Sequence, residues 1–302
     1  MATIKTFITQ HPVLSYFVLT FAISWGGLLL VIGGPSHIPA SPEEIARIFP
    51  VAYLATVAGP SLTALFLTGL VSGWAGFRDL VSRLLRWRVG LRWYAVAFLT
   101  APLSVIATLL ALSLLSPAFR PGFLTTTDGA SGLMPMSWGM VVALSLFNGF
   151  VEELGWTGFA IPRMHRRYGV FITGLSVGLL WGAWHFASNL ALSASSSAPI
   201  PLALFMLVLL FSFLPPFRML MVWVYDRTES LLVAVLMHAS LDAFWLTSTP
   251  PGLTSVDLVV WYLAWAALLW LIVAAVAVTS GGHLARRGKP TVGIGAPQLT
   301  PR

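Results

Sequence analysis

Cysteine is absent from the 302 residues, and charge is scarce: Asp, Glu, Lys and Arg together make 9% of the chain. Without cysteine there is no disulfide, no thiolate metal ligand and no cysteine nucleophile. With so little charge the chain cannot dress the surface of a soluble domain, where about 25% of residues are charged. No internal repeat is visible, so the paired, interrupted half-sites of an inverted-repeat transporter are missing. No HExxH pair occurs, so any zinc would need ligands converging from separate helices. No small-x-small cleavage site follows the first apolar stretch, which reads as a retained span rather than a signal peptide.

What is present is apolar. The chain is 57% hydrophobic with a mean hydropathy of +0.86. The expected fold is all-α, a polytopic membrane bundle formed by residues 1–280 as one unit, followed by a basic tail, 281–302, expected to be disordered. Eight apolar segments can be drawn, at 13–32, 50–71, 93–116, 137–160, 170–194, 201–224, 231–247 and 257–279. Each approaches the ~20 residues a crossing helix needs, the seventh being short.

The pI of about 10.4 would suggest nucleic acid in a soluble protein. Here the arginines sort between loops instead. Lys5, Arg78 to Arg92, Arg163 to Arg167, Arg227 and the tail fall on one side, and only Arg47 and Arg120 on the other. That bias places both termini in the cytoplasm of a multi-pass protein of the cell membrane. Ser41-Pro42-Glu43-Glu44 reads as a capping box opening a short external helix. Residues 77–88 read as an interfacial helix on the basic side.

Against this background the titratable groups inside apolar segments stand out: Glu152 and Glu153, His185, His238 and Asp242. A carboxylate at bilayer depth costs about 2.5–3.5 kcal/mol on insertion scales, so intramembrane acids are read as functional. His238 and Asp242 share a helix face at i,i+4, as do Trp181 and His185. Glu152 and Glu153 point about 100° apart, so one faces a site and the other supports it. Counted along their helices at 1.5 Å per residue, Glu152, His238 and Asp242 lie at similar depth, about 10–16 Å in. His185, at about 22 Å, comes out too deep. Asn148 and Asn189 read as glue between helices, and the surrounding aromatics as packing.

Three runs then match something known. Glu152-Glu153-Leu154-Gly155-Trp156-Thr157, Trp181-Gly182-Ala183-Trp184-His185 and His238-Ala239-Ser240-Leu241-Asp242 resemble the motifs of the CPBP family. This family, also called Abi, comprises bacterial membrane proteins related to the Rce1-type CAAX prenyl endopeptidase. The resemblance covers about residues 140–247; the N-terminal third carries no motif of it. It implies an intramembrane endopeptidase of glutamate type. Glu152 would be the base activating water and His185 would hold that water. His238 and Asp242 would face the oxyanion, and Glu153 would support them. The family's arginine, four residues after the second Glu, is Thr157 here. Glu153 is therefore expected to be neutral or paired with another cation, Arg163 or Arg218. Trp156, Thr157, Trp181 and Arg218 are the supporting residues.

No cofactor is expected. The rival mechanism is a zinc site on Glu152, His185 and His238, two His and one carboxylate with an open position. Two other classes compete with the peptidase: a non-enzymatic scaffold or self-immunity protein, and a transporter using the acids as a relay. The partners expected are membrane lipid and a peptide or membrane-protein substrate, not nucleic acid.

Overall fold

A computed structural model describes residues 2–37, 41–122, 137–193, 200–250 and 252–279. Among these, all regular structure is helical. The tail from 281 on lies outside the described residues.

The chain opens with α1 (Ala2–Gln10) and α2 (Pro12–Ile32). Pro12 stands at the first turn of α2, where no backbone donor is needed, and Gly33 closes it in the left-handed conformation, its N–H on the Leu29 carbonyl. Next come α3 (Pro42–Leu84) and α4 (Leu91–Ser113). Ser41 caps α3 by accepting from the Glu44 N–H at 3.2 Å, as the capping box required. The helix it starts is not a short external one, however. It runs on through the second apolar segment, because Pro50 and Pro60 are accommodated inside it. It bends only at Gly73, whose φ of 56° and ψ of −149° suit glycine alone. The stretch from Trp74 to Leu84 is helical, with Trp74 and Val81 exposed; the interfacial helix expected over 77–88 therefore starts earlier and stops at Leu84, leaving 85–88 outside it.

The motif-bearing region begins with α5 (Trp138–Gly155), continues through one π turn (Trp156–Ala160) and enters α6 (Ile161–Ser193). Within α6 the chain doubles back at Gly169, at φ 72° and ψ 176°: Trp181, beyond that point, hydrogen-bonds Glu152, before it. The helix begun at Trp138 therefore extends to about residue 168, eight residues past its expected end. This removes the depth discrepancy. Measured from Gly169, Glu152 and His185 are 17 and 16 residues away, about 25 Å each, so they face one another at one level.

The sixth apolar segment is not one helix either. It breaks into α7 (Leu202–Phe211) and α8 (Leu214–Thr228), because Pro215 and Pro216 cannot donate to a continuing α7. Glu229 takes a left-handed φ of 50° at the end of α8, and Ser230 caps α9 (Leu231–Ser248) by accepting from the Val233 N–H. The chain closes with α10 (Ser255–Thr279).

Packing places the site. α9 lies between α4 and α5, α3 runs along α2 and α5, and α6 lies on α8. Two close approaches depend on glycine. A Cβ at Gly149 would stand 2.6 Å from the Val235 carbonyl oxygen, and one at Gly178 2.6 Å from the Pro215 Cα. The first brings the glutamates of α5 against His238 on α9; the second brings Trp181 on α6 against Arg218 on α8.

Six helical stretches among the described residues are long and apolar enough to cross a membrane, and α9 is a shorter apolar helix. One of the six, Trp138–Asn189, is the stretch folded back at Gly169. The outward faces fit a lipid environment: Leu30, Leu103, Leu114 and Leu271 are all well exposed. This is a multi-pass membrane protein.

Candidate active site

The two glutamates are both buried, Glu152 at 3% and Glu153 at 0% exposure, yet their surroundings differ. Glu153 is saturated. One nitrogen of Arg218, Nη1, donates to both of its oxygens at 2.7 and 2.9 Å. Thr157 Oγ1 donates to Oε2, and His238 Nδ1 lies 2.7 Å from Oε1. Arg218 is fully buried, and its guanidinium carbon stands 4.0 Å from the centre of the Trp181 ring. Of the two cations considered for Glu153, the structure selects Arg218. Arg163 is directed elsewhere, donating to the Phe159 carbonyl and Ser72 Oγ.

Glu152 has softer partners. Its Oε2 accepts from the indole N–H groups of Trp181 at 2.8 Å and Trp156 at 3.3 Å. Trp156 and Thr157 each reach back to the glutamate four residues earlier, as helical i,i+4 neighbours do, at the point where the π turn begins. π turns recur at functional sites in helices. Both tryptophans, named above as supporting residues, thus touch Glu152 directly.

His238 sits between the acids. Its Nε2 is 4.0 Å from Glu152 Oε1 and 3.6 Å from Asp242 Oδ2, close enough for charge attraction but too long for hydrogen bonds. Asp242 instead accepts from Asn148 Nδ2 at 3.1 Å, and Asn148 Oδ1 accepts from the Tyr53 hydroxyl. Asn148 is thus part of the polar network, not only a link between helices. Tyr53 is a site residue that sequence reasoning missed; it lies on α3, in the third of the chain without motifs. Asn189 bonds the His185 carbonyl on its own helix and bridges to no other in the bonds described.

His185 stands apart from His238. Its Nδ1 is 2.9 Å from the Trp181 carbonyl. A carbonyl only accepts, so Nδ1 carries a proton and Nε2 of the neutral ring has a free lone pair. His185, Glu152, Asn148 and Tyr53 line a cavity of about 120 Å³, closed on other sides by Leu28 and Trp184. Glu153 does not reach it. Among the described residues no group of three His, Asp or Glu is placed to hold a metal ion, so Glu152, His185 and His238 do not assemble as a ligand set here.

Residues 134–244 match the family described as Type II CAAX prenyl endopeptidase Rce1-like. A protein named CAAX prenyl protease 2, from Methanococcus maripaludis, is 28% identical over 115 residues. That alignment covers 36% of this chain and 39% of the relative. Over the segment that carries the glutamate pair and both helix-borne histidines, this chain is thus similar to the Rce1-like family, and it spans well under half the length of the relative it matches.

Proposed function

We propose that this protein is an intramembrane endopeptidase in which Glu152 activates water for attack on a peptide bond. The observation that carries the reading is the asymmetry of the pair: Glu152 lines the cavity with His185, whereas Glu153 is consumed by Arg218, Thr157 and His238. A water between Glu152 and His185 Nε2 would meet two acceptors. Glu152 takes one of its protons as the oxygen bonds the carbonyl carbon. The oxyanion so formed faces His238. As an imidazolium that ring donates from both nitrogens, Nδ1 to Glu153 and Nε2 to the oxyanion. Such a donor in a site closed to bulk water is worth a few kcal/mol. The C–N bond then breaks, and the leaving nitrogen takes the proton from Glu152. Glu153, at Nδ1, orients His238, and Asp242, held by Asn148 3.6 Å from Nε2, favours the charged ring by its field.

Glu153 neutralises and aims. Removing a motif arginine beside a buried carboxylate would leave an uncompensated charge. Arg218 supplies that charge from α8, which supports an active site rather than an inert scaffold. We assign eight crossings with both termini cytoplasmic, on the arginine bias, and a site in the cytoplasmic half of the bilayer. No cofactor takes part. The substrate class is a peptide presented from the membrane. The relative's name is CAAX prenyl protease 2; a prenyl group is not part of the proposal.

The test compares membrane-protein termini in cells carrying wild type or Glu152→Gln. Termini generated only by wild type are expected. Identical termini in the two strains would reject the peptidase and leave the scaffold. Loss of the wild-type termini on chelation in isolated membranes would favour the zinc alternative.

A further inference from the structure

Away from the glutamates, the largest cleft described, about 580 Å³, opens between the α1–α2 junction and the start of α6. Its lining combines the polar side chains His11, Arg163 and Arg167 with the apolar Leu14, Phe17 and Ile172. No acid lines it, and among the described residues no carboxylate comes within ion-pair distance of Arg163 or Arg167.

Two arginines four apart on one helix face, before the Gly169 reversal, make a cationic patch without an ion-pair partner; Asp79 acts on Arg163 only from a distance and is itself paired with Arg83. Arg163 is already aimed. It is half-buried, lies 3.7 Å over the Phe159 ring, and donates to the Phe159 carbonyl and Ser72. Those bonds use two of its five N–H groups, which leaves three. Arg167 is exposed and lies against the Tyr168 ring. His11 precedes α2 without a side-chain capping bond. Among the apolar lining residues, Leu14 and Ile172 are each 54% exposed, on helices long and apolar enough to lie in lipid.

We infer that this cleft binds one anionic phospholipid, its phosphate between Arg163 and Arg167 and its acyl chains along Leu14, Phe17 and Ile172. The chemistry fits on three counts. Unpaired guanidiniums prefer a phosphate to a zwitterion's compensated head. The volume far exceeds one phosphate, so a free ion would leave most of the cleft unfilled. The same cleft sets apolar side chains beside the cationic ones, as glycerophospholipid connectivity demands. The site is separate from the glutamate cavity and does not rest on the peptidase reading.

The test is native mass spectrometry of the full chain, released from micelles containing phosphatidylglycerol or phosphatidylcholine. One retained phosphatidylglycerol is expected, bound at least about tenfold more tightly than phosphatidylcholine. Arg163→Gln/Arg167→Gln should reduce its binding about tenfold or more, since each surface arginine near an anionic lipid is worth about a factor of five. Arg88→Gln/Arg92→Gln, on the same basic side, serves as the control for general surface charge and should change it less than twofold. Equal losses in both doubles, or equal retention of the two lipids, would overturn the site. Inorganic phosphate or glycerol phosphate displacing the lipid at millimolar concentration would show a soluble-phosphate site and overturn the lipid assignment. Should the first double fail to fold, Arg167→Gln alone, whose side chain makes no described hydrogen bond, must still lower phosphatidylglycerol retention.

Discussion

The two sides of α5 carry neighbouring carboxylates into opposite situations. On one side Glu153 meets a guanidinium, a hydroxyl and an imidazole, and no space. On the other Glu152 meets two indole donors and a cavity. The helical angle of about 100° between successive residues is enough to separate them. A fully partnered buried carboxylate is an element of structure. A carboxylate held by neutral donors beside open space keeps an oxygen for chemistry. The difference between the sides, rather than the pair as such, is what makes a site.

Substitutions can break this contrast or sharpen it. The largest effect is expected from Arg218→Met, which strands Glu153 without its cation. Loss of one partner of a buried pair costs about 3–5 kcal/mol, to be read as a fall in thermal stability in detergent. Thr157→Arg added to Arg218→Met should restore most of that loss, because residue 157 sits one turn beyond Glu153 and already donates to it. A double variant no more stable than Arg218→Met would show that the position of the cation, not its presence, matters. Next in size, Trp181→Phe removes the shorter donor to Glu152. A hydrogen bond to a charged group is worth about 1.5–3 kcal/mol; the loss should appear in kcat and also as a fall in thermal stability, because the ring is fully buried and stacks on Arg218. The smallest effect belongs to Tyr53→Phe, where Asn148 loses a donor but keeps Asp242. A change of about 1 kcal/mol or less is expected, as a few-fold fall in cleavage.

Sequence carried the site further than the fold's details. The acids and histidines were legible because intramembrane charge is costly, and Arg218 was one of two cations considered because it is an arginine within an apolar span. Helix ends were less legible. Gly73 looks like any glycine in an apolar helix, where glycine is common, and nothing local announces its positive φ. The reversal at Gly169 falls where the fifth segment was expected to begin; the depth mismatch arose because the helix begun at Trp138 runs past residue 160, which places Glu152, not His185, further from the turn than counted. Tyr53 could not be found from its neighbours at all. Its partner Asn148 is 95 residues away, and a tyrosine in an apolar helix reads as packing until the helices are placed.

The division of labour between the glutamates is tested most directly by measuring thermal unfolding and substrate cleavage on the same purified preparations of Glu152→Gln and Glu153→Gln. Glu152→Gln should unfold at or above the wild-type temperature while cleavage falls by 10²-fold or more, and Glu153→Gln should unfold at a clearly lower temperature. Wild-type cleavage by Glu152→Gln, or unchanged stability in Glu153→Gln, would contradict it.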